Sequence, residues 1–299
     1  MPAVVDEIIA RLWPGRVPDV TSLTNGITNA NYAVDLGDEK VVIRVPGKDT
    51  DLLGVDRAVE VDAGRLAAAV GVGPEVVYFD VATNCIVTRF IEARPVPADE
   101  LAAEPMLADF VTALRAVHAA GTVGAVFNPY QIARDYRDEA ARRGVHSPFD
   151  LAAALALADQ IEAARPFRPT VLGHNDLLNA NFLFDGRVRI VDWEYAGMSD
   201  PFFDLANVAV NNGFTPDAER ALLTHYVGHV NDRLEATLAL MKIVSDLREA
   251  MWGVLQLAIS DLDVDYAAYA HEHAERMSRA AGAIDLDDAL RLCAATREA

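Results

Sequence analysis

Basic residues are scarce in this chain: 26 Lys and Arg stand against 45 Asp and Glu, a formal charge of −19 over 299 residues. A surface this acidic repels nucleic acid and anionic membranes and attracts cations. Nucleic acid is therefore not an expected partner. Cysteine is nearly absent. Cys85 and Cys293 stand outside any metal or redox spacing, which excludes a disulfide framework and suits a reducing cytoplasm. Long apolar runs are missing too. The longest without a charge, Ala250–Ser260, is too short to cross a bilayer. The first residues, Met1–Ala10, are acidic and lack a basic n-region, so neither a signal peptide nor membrane insertion is expected.

What is present is enough apolar residue, 52%, to fill two packed lobes. Residues 1–12 read as an amphipathic helix. Two strand-like runs follow, Asn31–Leu36 and Lys40–Val45, joined by a Gly37-Asp38 hairpin turn. Val55–Val70 reads as a helix stopped by Gly71 and Gly73-Pro74, and Glu75–Phe79 and Asn84–Phe90 as strands. This is a small α+β lobe over residues 1–91. Glu92–Pro97, with two prolines, reads as a linker. Residues 92–299 then turn mainly helical: Leu101–Ala120 as one helix, Asp150–Ala164 as another, and alanine-rich helices from Ala218 onward. A strand-like insertion lies between Thr170 and Asp192, with Val188–Val191 its clearest strand.

That insertion carries the densest chemistry. His174-Asn175-Asp176 is followed by Asn181, and Asp192 comes eleven positions later, after the apolar Ile190-Val191. The form H-x-D-x-x-x-x-N, then Asp after a strand, is what phosphoryl transfer requires. One carboxylate takes the acceptor's proton, and an Asn and a second Asp hold Mg²⁺ against ATP. Asp176 is thus the candidate base, Asn181 and Asp192 the candidate metal ligands, and His174 an orienter of the loop. Asn and Asp also make ordinary turns; the joint spacing argues for chemistry.

The first lobe supplies the complementary half. The stretch Thr24–Asn29 precedes the first hairpin strand, and Asn25, Gly26, Thr28 and Asn29 could cover the phosphates with N–H groups and hydroxyls. Arg44, inside the apolar run Val41–Val45, needs a partner. Glu60 on the next helix suits it, and the pair would hold the α- and β-phosphates. Arg89 and Ile91 fall where a hinge would meet adenine through backbone groups.

With these motifs the sequence resembles the choline/ethanolamine kinases, within the aminoglycoside-phosphotransferase-like kinases, from about Thr21 to Met277. The resemblance implies a two-lobed, protein-kinase-like α+β fold, with ATP and Mg²⁺ as cofactors. The acceptor it implies is a small cationic alcohol, choline first and ethanolamine second. The His-Asn-Asp loop, Arg44 in place of a strand lysine, Asp192-Trp193-Glu194-Tyr195 and Asp200–Asn207 carry it. Through it, Asp204 buttresses the loop. Trp252 and Tyr269 surround the ammonium by cation–π attraction, and Glu194 lies near the substrate. Where eukaryotic choline kinases have a further Trp, this chain has Glu249. A carboxylate there suits an ammonium that donates hydrogen bonds. An aminoglycoside, thiamine or another alcohol as acceptor, or a nucleotide-binding pseudokinase scaffold, stays open on the residues alone.

Overall fold

The structure is a computed structural model that describes residues 2–23, 29–48 and 50–294. Val5, Ile8 and Ile9 form one buried stripe on helix α1 (Ala3–Leu12). This stripe packs on an antiparallel sheet of β1 (Asp19–Leu23), β2 (Asn29–Asp35), β3 (Lys40–Pro46), β4 (Val76–Asp80) and β5 (Cys85–Arg89), in the order β1-β2-β3-β5-β4. Gly37, at φ +88°, makes the expected β2–β3 turn, a left-handed conformation that glycine adopts without strain. Between β3 and β4 runs α2 (Arg57–Ala69), whose start is fixed by the Asp56 carboxylate accepting from the amides of Ala58 and Val59. Its inner face buries Val61, Ala63 and Ala67, and also the charged Arg57 and Glu60.

The rest is mainly helical. In chain order it comprises β6 (Arg94–Pro95), α3 (Ala98–Leu101), α4 (Met106–His118), α5 (Pro129–Arg142), α6 (Leu151–Ala164), β7 (Val171–Gly173), β8 (Phe182–Phe184), β9 (Val188–Ile190) and β10 (Gly197–Ser199). The helices α7 (Pro201–Asn211), α8 (Pro216–Val227), α9 (Asp232–Ile259), α10 (Tyr266–Gly282) and α11 (Leu286–Ala294) follow. The long α9 is the spine, with α5, α7, α10 and α11 packed around it. Several starts are set by an Asx or Thr cap followed by proline: Asn128-Pro129, Asp200-Pro201 and Thr215-Pro216. The α+β, two-lobed, kinase-like architecture is as expected.

Two local expectations are corrected, and two elements, β1 and α5, are additional. The single helix over Leu101–Ala120 is interrupted at Pro105 and becomes α3 and α4, because proline lacks the N–H that a continuous helix needs. The linker Glu92–Pro97 contains β6, which pairs with β8. Strand β1 pairs with β2 along its whole length, although it alternates poorly. Helix α5 was not anticipated. Among the described residues no helix is long and apolar enough to cross a membrane.

Candidate active site

The loop after β7 is built on backbone hydrogen bonds to side chains of α7. Asp204, wholly buried, accepts from the amides of His174 (2.8 Å) and Asn175 (2.7 Å), and its Oδ2 also receives His118 Nε2 at 2.9 Å. Asn207 Oδ1, one helical turn on, accepts from the Leu177 amide at 2.5 Å. Burial raises the Asp204 pKa, but the His118 hydrogen bond and the His174 amide outweigh it. The carboxylate is held below its ordinary range. His174 adds a second brace. Its Nδ1 accepts from the Asp176 amide (3.3 Å), which leaves Nε2–H to donate to the Val191 carbonyl (3.0 Å). Burial lowers its pKa and keeps the ring neutral. Asn175 sits at φ +66°, tied to Tyr195 O by its amide (3.0 Å).

Asn181 donates Nδ2 to the Asp176 carbonyl at 2.9 Å, which leaves its Oδ1 as an acceptor, and its own carbonyl accepts from the Val191 amide at 3.1 Å. The strand pair β8–β9 thus brings Asp192, left-handed at φ +70°, beside Asn181. The Asp192 Oδ1 atom is buried without a hydrogen bond. The Arg44 guanidinium stands 3.0 Å from it as an ion pair. Two oxygens from Asn and Asp, the second ion-paired with Arg44 but accepting no hydrogen bond, are ligand types that a hard divalent cation takes.

Arg44 pairs tightly with Glu60, as expected. The network extends through Arg57, which the sequence did not single out. Arg57 reaches Glu60 (2.6 Å), Glu194 (3.3 Å) and Asn29 Oδ1 (2.8 Å), while Asn29 Nδ2 donates to Glu194 at 2.8 Å. Asn29 and Glu194 were expected at the phosphates and the substrate. They are instead buried against each other and Arg57, joining β2 to the segment after Asp192. Burial, then the Asp192 charge, pushes Glu194 up to about 7 against the pull of Arg44 and Arg57. Asn25, Gly26 and Thr28 lie outside the described residues.

A cleft of about 450 Å³ is lined by Arg44, Glu60, Asn181, Asp192, Arg89 and Ile91. One detail of the hinge differs. The Arg89 amide already donates to Glu75 O (2.8 Å), and its guanidinium pairs outward with Glu39 and Glu75. Its N–H is therefore committed within the fold.

On the other side of Asp176, α9 and α10 form an aromatic wall. The rings of Trp252 and Tyr269 are 5.4 Å apart, edge to face, and Trp252 Nε1 donates to Tyr195 OH at 3.0 Å. Glu249 is buried: its Oε2 accepts from Tyr269 OH (3.0 Å) and its Oε1 from Arg248 (2.7 Å). Arg248 Nη1 lies 3.7 Å from Asp176 Oδ1. Burial drives the Asp176 pKa well above the ordinary carboxylate range. Arg248 opposes this, while Glu249, Asp192 and Glu194 reinforce it.

The sequence profile of the phosphotransferase enzyme family matches residues 19–241. The chain belongs to that family. It is 28% identical over 218 residues to protein LicA of Haemophilus influenzae, an alignment covering 70% of this chain and 63% of that protein. To human ethanolamine kinase 2 it is 26% identical over 293 residues, 86% of this chain and 75% of the relative. A solved choline/ethanolamine kinase family protein from Mesorhizobium loti superposes with a TM-score of 0.82 at 26% identity, over 99% of this chain and 100% of that one. Within this phosphotransferase the residues missed from sequence are Arg57, Tyr195, Asn207 and Arg248. Tyr195 and Asn207 lie in the quoted Asp192–Tyr195 and Asp200–Asn207 motifs, and Arg57 stands three positions before Glu60 on one helix; Arg248 had no such signal.

Proposed function

We propose that the chain is an ATP-dependent phosphotransferase of the cytoplasm that phosphorylates the hydroxyl of a small cationic amino alcohol, choline or ethanolamine being the reference acceptors. The observation that carries this reading is the position of Asp176. It is braced from α7 and His174, with Asn181, Asp192 and Arg44 to one side and Glu249, Trp252 and Tyr269 to the other. Family membership and the kinase relatives support it.

In this reading residues 1–91 and 92–299 are the two lobes, and ATP occupies the cleft with adenine toward Ile91. Arg44, kept in place by Glu60, reaches the phosphates. Asn181 Oδ1 and Asp192 would hold magnesium, which supplies neutralisation of phosphate charge. Asp176 receives the acceptor's hydroxyl proton, and its raised proton affinity suits a base. Trp252, Tyr269 and Glu249 hold the acceptor's cationic end. His174 and Asp204 act by fixing the loop rather than by touching substrate. Positioning and charge stabilisation do most of the catalysis.

ADP release from MgATP with a panel of amino alcohols and an aminoglycoside tests this. Turnover confined to amino alcohols is expected. An aminoglycoside as the best acceptor, or ATP binding without turnover of any alcohol, would remove it.

A further inference from the structure

Residues 50–56 lie in sequence between β3 and α2, two elements of the sheet lobe, yet they are anchored in the helical one. Leu53 and Val55 are 3% and 7% exposed and sit in the apolar core that holds Phe127, Tyr136 and Tyr195. The Tyr136 hydroxyl on α5 donates to the Leu53 carbonyl at 2.6 Å in a buried hydrogen bond. A buried carbonyl needs its donor, so the segment stays where Tyr136 holds it. The downstream end of this strap is Asp56, whose carboxylate caps α2. The first turn of that helix carries Arg57 and Glu60, and Glu60 pairs with Arg44. The start of α2, and with it the Arg44–Glu60 pair, is therefore placed from the helical lobe.

Tyr136 also borders the acceptor end of the site. Its face of α5 packs on α9, the helix of Glu249 and Trp252. Burial raises the Tyr136 pKa, and the charges that act on its hydroxyl are those of Arg248, Glu249, Glu194 and Asp176. Between the strap and the helical lobe lies a cavity of about 220 Å³, lined by Leu53, Gly54 and Asp56 on one side and by Phe127, Glu194 and Tyr195 on the other. Tyr195 is shared with the acceptor wall: its hydroxyl accepts from Trp252 Nε1, and its ring centre lies 4.3 Å from the Arg248 guanidinium. The strap thus runs from the acceptor wall to the start of α2 and lines no part of the nucleotide cleft.

We propose that residues 50–56 couple acceptor binding to nucleotide binding, with Tyr136 as the positioning residue that holds the strap. An amino alcohol seated against Tyr195 and Trp252 fixes Tyr136 and Leu53. The strap then fixes the start of α2, and Glu60 holds Arg44 toward the phosphates. Tyr136 acts through the Leu53 carbonyl and touches neither substrate. This deepens the kinase reading and rests on it. Coupling of this kind is reciprocal, so each ligand tightens the other by the same factor.

Calorimetric titration of the full chain with Mg²⁺ and a non-hydrolysable ATP analogue tests this, with and without saturating ethanolamine or choline. The acceptor is expected to lower the analogue's Kd about tenfold, within the usual range of coupling between sites. Tyr136→Phe keeps the ring and removes only the hydroxyl. It should bring that factor to about one while each ligand alone binds within about threefold of its former Kd, a pattern that general loosening of the fold would not give. Leu53→Ala, which frees the strap from its other side, should do the same. In the unaltered chain the acceptor alone should slow amide hydrogen exchange at Leu53 and Gly54, whose N–H groups donate within the strap to Thr50 and Asp51. If both ligands bind and the factor in the unaltered chain is near one, the proposal fails and the kinase reading stands. An undiminished factor in Tyr136→Phe, or exchange at Leu53 and Gly54 that ignores the acceptor, also overturns it. No binding by the analogue, or by either acceptor, removes the kinase reading and this proposal together. The exchange measurement on the unaltered chain decides the matter even if the variants fold poorly.

Discussion

Asp176 and Asp204 are both buried carboxylates, yet they are driven in opposite directions. Asp204 meets two backbone amides and His118 and stays ionised. Asp176 shares its space with Glu249, Asp192 and Glu194, and its proton affinity rises. The first arrangement suits a fixed brace and the second a proton acceptor. Asp176→Asn is expected to lower kcat by about 10³-fold with little change in Tm, since general-base removal costs roughly 10²–10⁴; steady-state ADP release and a melting curve check both halves. Asp204→Ala should instead destabilise the chain by about 3 kcal/mol, the scale of an orphaned buried partner, read from denaturant unfolding. Its activity loss should accompany the loss of fold.

At the scale of elements, the loop's shape depends on close packing between β7 and β10. A Cβ on Gly173 would stand 2.7 Å from Ser199 Cβ and 2.8 Å from Asn175 Oδ1. Gly173→Ala should therefore cost roughly 1–3 kcal/mol and lower turnover by displacing the His174–Asp176 segment, both measurable on the purified variant. Elements with strong local signals were legible in sequence. The β2–β3 hairpin has its Gly-Asp turn, α2 its Gly stop, and the Asp176–Asn181–Asp192 spacing survives any error in strand ends. Helix α5 was not legible. Its charged residues, Arg134, Asp135, Arg137, Asp138 and Glu139, hide a buried face of Tyr130, Ala133, Tyr136 and Ala140 that packs mainly on α9. Asn29 and Glu194 were assigned to ligands because their burial against Arg57 arises from tertiary packing, which no local pattern encodes.

At the scale of the whole molecule, a buried chain of charges from Arg44 through Glu60 and Arg57 to Glu194 joins the sheet lobe to the helical lobe. Glu194 binds its proton more tightly folded than unfolded, with a pKa raised to about 7 from 4.5. Its contribution to stability is complete below the unfolded value and is lost as pH rises through about 7. The Tm of the nucleotide-free chain should accordingly fall by a few degrees between pH 5 and pH 8, and Glu194→Gln should flatten that slope; a calorimetric pH series checks this. MgATP should raise Tm, because a ligand that binds only the folded chain stabilises it by mass action. The convergence of residues 176, 181 and 192 on one metal–nucleotide centre is tested most directly by the turnover of Asp192→Asn at saturating MgATP and its best acceptor. Asparagine tolerates the left-handed backbone at this position and removes only the charge. Turnover about 10²-fold or more below that of the unaltered chain, with an unchanged Tm, is the predicted result; near-normal turnover would contradict the account.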